Sequence, residues 1–148
     1  CPPIARSLGA DILFPFDVPP YHPFISWAQR AEGLSPSPIG PLIHPCYGLW
    51  HAYRGALLFS HALDVPPPLS ANPCESCVDK PCLATCPVGA FGADGYDVLA
   101  CVCHIKTPVG NDCLDWGCRA RRACPIGRNY LYAPEQAAFH MAAFLRNQ

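Results

Sequence analysis

The stretch "CESCVDKPCLATCPVGAF", residues 74–91, sets four thiols within 13 positions: Cys74, Cys77, Cys82 and Cys86, with Pro87 next. Thiolates with two residues between them, carried on a turn, can aim at one point, and a third a few residues on closes a cradle around one face of a metal–sulfur cubane. Cys86 falls about one helical turn after Cys82 and points out of that cradle. In iron–sulfur proteins with two clusters, the cysteine at this place ligates the other cluster. The proline that follows stops a helix at the ligand. A zinc site of four thiolates normally shows two pairs separated by a longer loop. Complete disulfide pairing is awkward for 11 cysteines. The spacing therefore favours iron–sulfur over zinc and over disulfides.

A ligand that faces elsewhere demands a second site. Cys124 is followed by Pro125, so by the same logic it returns to the first cluster, giving Cys74, Cys77, Cys82 and Cys124. The second cluster then takes Cys86 with three of Cys101, Cys103, Cys113 and Cys118. Cys113 and Cys118 repeat the separation of Cys77 and Cys82. Spacing alone leaves Cys101 and Cys103 as alternatives, although two thiols with one residue between them diverge on a helix, so one ligand is expected from the pair. "CPVG" at 86–89 returns as "CPIG" at 124–127, a weak two-fold repeat. His104 follows Cys103, but a Rieske centre needs two histidines at a different spacing. Cys1 and Cys46 have no partner by spacing and read as unused thiols. Gly89 and Gly127 read as turn residues that let backbone approach the clusters closely.

Composition bounds what surrounds these thiols. A chain of 148 residues with 14% charged residues can bury a core of its own. A net charge of −1 argues against broad nucleic-acid binding. No signal-peptide pattern is visible, and no apolar run reaches the roughly 18–20 residues that span a membrane. These features predict a protein of a reducing compartment, cytoplasm or organelle matrix, without direct membrane insertion.

The positioning elements follow from periodicity and punctuation. Asp11–Phe16 is a short strand candidate bounded by prolines. Phe24, Trp27, Ala28 and Ala31 recur at helical spacing before Gly33, which predicts a short amphipathic helix with a glycine stop. Residues 42–60 read as two extended segments around a Pro45–Gly48 turn, the second, "WHAYRGALLF", as a packed core strand. "DVPPPLSANP", 64–73, is the clearest boundary. At the end of the chain, Pro134 opens a helix with Ala138, Met141, Ala142 and Leu145 on one face. His44, His51, His61 and His140 lie among apolar and aromatic residues and read as hydrogen-bonded core or surface side chains.

The motifs together resemble the bacterial-type 2×4Fe-4S ferredoxin fold. They are most similar to the ferredoxin-like part of epoxyqueuosine reductase and related cobalamin-dependent reductases. The elements that carry this are "GLWHAYRGALLFSHALDVPPP", "CESCVDKPCLATCPVGAF", "YDVLACVCHI" and "CLDWGCRARRACPIG", over roughly residues 34–128. In that family a lone cysteine follows the hairpin between the two motifs, which implies Cys101 as the ligand and Cys103 as a bystander. The implied second set is Cys86, Cys101, Cys113 and Cys118.

The resemblance implies an α+β fold with two 4Fe-4S clusters. A ferredoxin-like domain over 71–130 would follow an irregular, proline-rich N-terminal α/β segment over 1–70, the candidate remnant of a larger domain, and precede a C-terminal helix over 131–148. The implied function is single-electron relay, either as an electron-transfer protein, as the electron-input part of a cobalamin-dependent reductase, or as an iron–sulfur subunit of a larger complex. No catalytic residue is placed by motif, so a relay is expected rather than a stand-alone enzyme. Arg119, Arg121 and Arg122, with Arg128, form a basic patch. It reads either as a docking surface for a redox partner protein or as a solvated face paired with Asp112 and Asp115.

Overall fold

The computed structural model describes residues 2–17, 19–69 and 71–148. The chain is mixed α+β, with helices of up to 13 residues and small antiparallel two-stranded sheets. It divides into two compact units, one formed by Cys1–Leu34 and Ala52–Ser70, the other by Ser35–His51 and Ala71–Gln148. Ser70 of the proline-rich boundary lies outside the described residues.

In the first unit, helix α1 (Pro2–Ser7) precedes strand β1 (Asp11–Leu13), and helix α2 spans Phe24–Glu32. The strand is shorter than the sequence predicts, for two reasons. The Asp17 carboxylate accepts the Phe14 N–H at 2.7 Å, and Pro15 has no N–H to offer a ladder. Helix α2 stops where the sequence places its stop: Gly33 takes a left-handed φ of 70° and donates its N–H to the Gln29 carbonyl at 2.8 Å. Only Ala28 of its apolar stripe is fully buried.

The second unit begins with strand β2 (Ser35–Pro36) and its antiparallel partner β3 (Leu42–Ile43). Beyond β3 a tight turn is closed by mutual His44–Gly48 backbone hydrogen bonds of 2.9 and 2.8 Å. The expected core strand over 50–59 shrinks to β4 (Ala56–Leu58), which belongs to the first unit and pairs antiparallel with β1. Leu57 and Leu58 of β4 are 40% and 43% exposed, so this is not a core strand. The division also differs from the expected boundary at residue 70, because 35–51 groups with the cysteine-rich chain. The cause is apolar packing: Ile39, Ile43 and Leu49 are buried in one cluster with Cys82, Ala120 and Cys124.

The cysteine-rich part is built from short elements with strong local punctuation. Helices α3 (Pro73–Ser76) and α4 (Pro81–Ala84) are each opened by proline, and the Asn72 side chain caps α3 by accepting the Cys74 N–H at 3.1 Å. A hairpin of β5 (Phe91–Gly92) and β6 (Gly95–Tyr96) leads to α5 (Val98–Ile105), capped by the Asp97 carboxylate on the Ala100 N–H. Helices α6 (Asn111–Trp116) and α7 (Arg119–Arg122) follow, and α8 (Pro134–Arg146) packs against α6. Pro134 occupies the first turn of α8, and Ala138, Met141, Ala142 and Leu145 are all half-buried there.

Two glycines let backbone meet backbone across this unit. Gly48 and Gly127 both have positive φ, 58° and 72°, and a Cβ at either would run into the other's segment, at Ile126 or Tyr47. Gly89 has a φ of 57° with no neighbouring protein atom within 4 Å of where a Cβ would sit, so it serves a turn. Gly48→Ala should therefore cost about 3 kcal/mol of stability, strain plus clash, and Gly89→Ala about 1 kcal/mol. Urea denaturation of the two variants checks the ranking.

Candidate metal centre

The seven cysteines singled out by spacing, and Cys101, which the resemblance implies, gather around two separate cavities. Cys74 on α3, Cys77 just after it, Cys82 on α4 and Cys124 beyond α7 line the first. Cys86, Cys101 on α5, Cys113 on α6 and Cys118 at the start of α7 line the second. Cys86, the last thiol of the opening motif, faces the second cavity, and Cys124 faces the first. The hairpin-bearing segment 35–51 walls both: Ser37, Pro38, Ile43 and Leu49 at the first, Ile39 and Pro41 at the second.

The electrostatics of the thiols follow the same division. Burial pushes Cys74 above the ordinary thiol value of 9.0, and the charges of Cys124, Cys82 and Cys77 raise it further, against Lys80, which lowers it. Cys82 is raised by burial and by Cys124 and Cys77, with the Leu83 N–H lowering it. In the second set, burial raises Cys101 first. A hydrogen bond from Tyr96 lowers it, and Cys86 and Cys113 raise it. Cys118 is raised by burial and by Cys113 and Cys101, while the N–H groups of Arg121 and Ala120, at the start of α7, lower it.

Further groups secure each set. Cys86 Sγ accepts the Ala90 N–H at 3.3 Å. Lys80, which spacing did not single out, donates its ammonium to the carbonyls of Cys74 at 2.9 Å and Cys77 at 3.4 Å. It does so from a left-handed backbone, φ 38°, before Pro81, where the right-handed helical region is disfavoured. Tyr96 was also missed, although its place at the end of a hairpin before the lone cysteine is a sequence-level cue.

The remaining candidates fall outside the two sets. Cys103 is exposed and lines neither cavity; it shares α5 with Cys101, and helical geometry turns the two thiols apart. Cys46 is exposed, 3.9 Å from the Tyr130 hydroxyl. Cys1 lies outside the described residues. His104 and His140 help line the second cavity. His44 Nδ1 accepts the N–H groups of Cys46 and Tyr47, His51 bonds the Gly48 carbonyl, and His61 lies edge-on to Phe59.

Three arginines of the expected docking patch, Arg119, Arg121 and Arg122, have partners within the chain. Arg121 donates through Nε to the Leu49 carbonyl at 3.0 Å and lies against the rings of Trp50 and Tyr132, 4.5 and 4.7 Å from their centroids. Arg119 and Arg122 both bond Asp112, Arg119 at 2.7 Å.

The donor sets bear on what they could hold. Among the described residues, no three histidine, cysteine or carboxylate side chains converge closely enough to share one metal ion. Four thiols instead surround an apolar space, about 250 Å³ at the second set. All-thiolate donors around a space suit a group with several metal atoms, each taking one sulfur. The first cavity is tighter, about 20 Å³, room for about one water.

Two outcomes follow. If each set holds one cluster, Cys101→Ser should lower bound iron by about half, and Cys103→Ser should leave it unchanged, as read by iron and sulfide assay. In metal-free protein the fold favours the protonated thiols, because Cys74, Cys82, Cys101 and Cys118 sit above 9.0. That stability is fully present below pH 9.0 and is lost as pH rises through the raised folded values. The urea midpoint of metal-free protein should thus fall as pH rises above 9.0, and a flat profile there would contradict the thiol burial. Comparison with family models, with curated proteins and with solved structures found no match, so the reading of these sites rests on their own geometry.

Proposed function

We propose that this chain is an electron-transfer protein holding two 4Fe-4S clusters, one on Cys74, Cys77, Cys82 and Cys124 and the other on Cys86, Cys101, Cys113 and Cys118. The observation that carries the reading is the sorting of eight thiols into two fours around two apolar cavities. When bound, each cluster supplies reversible one-electron chemistry.

The chain's own part is to hold, space and insulate. Helices α4 and α7 pack together, and each links the two thiol sets: Cys82 and Cys86 bracket the end of α4, and Cys118 and Cys124 flank α7. A helix of four residues is about 6 Å long, so the spacing between sites is set by single helical turns. Ile39, Ile43 and Leu49 exclude water from the thiols. Tyr96, Ala90 and the start of α7 direct hydrogens at the sulfurs of the second set, the kind of contact that tunes a cluster's potential.

The deciding measurement is iron and acid-labile sulfide per chain in anaerobically purified protein, followed by EPR of the reduced sample. About eight of each per chain, with interacting spins, is expected. One zinc and no sulfide would overturn the reading. Chelation of the metal should also destabilise the cysteine-rich unit, seen as a lower urea midpoint for the metal-free protein.

A further inference from the structure

The first cavity is poor in hydrogen-bond donors. Four of its lining residues, Pro38, Pro73, Pro81 and Pro125, have no backbone N–H. Apart from the cysteines, Ser37 and Lys80 are the lining residues with a polar side-chain atom. The Lys80 ammonium is committed to the carbonyls of Cys74 and Cys77. That leaves the hydroxyl of Ser37.

Ser37 is 7% exposed, and its Oγ is buried with no hydrogen-bond partner among the described residues. Its backbone is fully engaged: the N–H donates to the Pro41 carbonyl at 2.9 Å, and the carbonyl accepts from the Gly40 N–H at 2.9 Å. The loop thus holds Ser37 in place by its main chain and leaves one side-chain donor in an apolar wall. A buried hydroxyl without a partner is costly, and such an atom calls for an explanation.

We infer that the Ser37 hydroxyl is a positioning donor for the first cluster, giving a hydrogen bond to a sulfur there and raising its reduction potential. This rests on the two-cluster reading above. The hydroxyl keeps its proton, and no covalent bond forms or breaks. Reduction adds one negative charge to the cluster. A donor aimed at sulfur therefore stabilises the reduced form more than the oxidised one. The second set already has such donors in Ala90, Tyr96 and the N–H groups at the start of α7. At the first, backbone N–H reaches Cys82, and Ser37 would add a donor from the opposite wall.

The test is Ser37→Ala with Ser37→Thr beside it, both purified anaerobically, assayed for iron and sulfide and titrated redox-wise by EPR. Wild-type protein without sulfide would refute the two-cluster reading itself. With wild type loaded, Ser37→Ala should shift one of the two midpoints downward by about tenfold in the reduction equilibrium, about 59 mV for one electron, and leave the other in place. Ser37→Thr should stay near the wild-type value. A loaded Ser37→Ala with both midpoints unchanged would overturn the role. If Ser37→Ala fails to load, loading of Ser37→Thr at wild-type potentials supports the hydroxyl. Failure of both variants overturns it, because the position then serves packing.

Discussion

The cysteine-rich unit builds thiols into its apolar core. Cys82 and Cys124 are themselves buried members of the apolar cluster formed by Ile39, Ile43, Leu49 and Ala120. Cys74, Cys86 and Cys118 pack against that cluster. The sulfur atoms that would bind metal are thus also the packing atoms of the interior. Burial raises the thiols first, and the repulsion of each thiolate by its neighbours adds to it. Protons relieve that repulsion in metal-free protein. Short helices of four to eight residues could not hold this arrangement by their own propensity. The convergence of thiols holds them.

Exchange of one cysteine between the two sets turns two local sites into one structure. Cys86 belongs by sequence to the first motif and by position to the second cavity; Cys124 does the reverse. Neither set can be completed by a contiguous stretch of chain. Each requires α4 and α7 to be docked, and that docking brings the other set together as well. Under the relay reading, loading one site therefore pre-organises its neighbour, a coupling of metal binding to folding that spans both sites.

Much of this was legible in the sequence where the cause is local. Gly33 stops α2 and Pro134 starts α8, as residues with fixed backbone preferences should. The grouping of the cysteines was legible because Cys-Pro pairs mark chain reversals at fixed distances from the other thiols. Choosing Cys101 over Cys103 took a resemblance, and α5 supplies the physical reason: neighbouring odd positions on a helix face apart. What stayed hidden depends on contacts between distant residues. Arg121 sits in a run of charges and reads as surface, yet it lies against Trp50 and Tyr132 and the Leu49 carbonyl holds it. The grouping of 35–51 with the cysteine-rich unit was hidden for the same reason. Its alternation of serine, proline and glycine describes a loop, and only the burial of Ile39, Ile43 and Leu49 shows where that loop belongs.

That segment is also where the two thiol environments diverge. It presents prolines, aliphatic side chains and one hydroxyl to the first cavity, and Ile39 and Pro41 to the second. The second cavity gains its polarity from other elements, through the Tyr96 hydroxyl and the N–H groups of Ala90, Ala120 and Arg121. The first has the Lys80 ammonium nearby, directed to carbonyl oxygens rather than to sulfur. Two clusters of the same composition in these settings would differ in potential, because hydrogen bonds to sulfur and local charge are the terms that differ between them. The donors at the second set and the Lys80 charge beside Cys74 at the first both favour a reduced cluster, so the difference in potential would be set by the balance between N–H and O–H groups on one wall and an ammonium on the other.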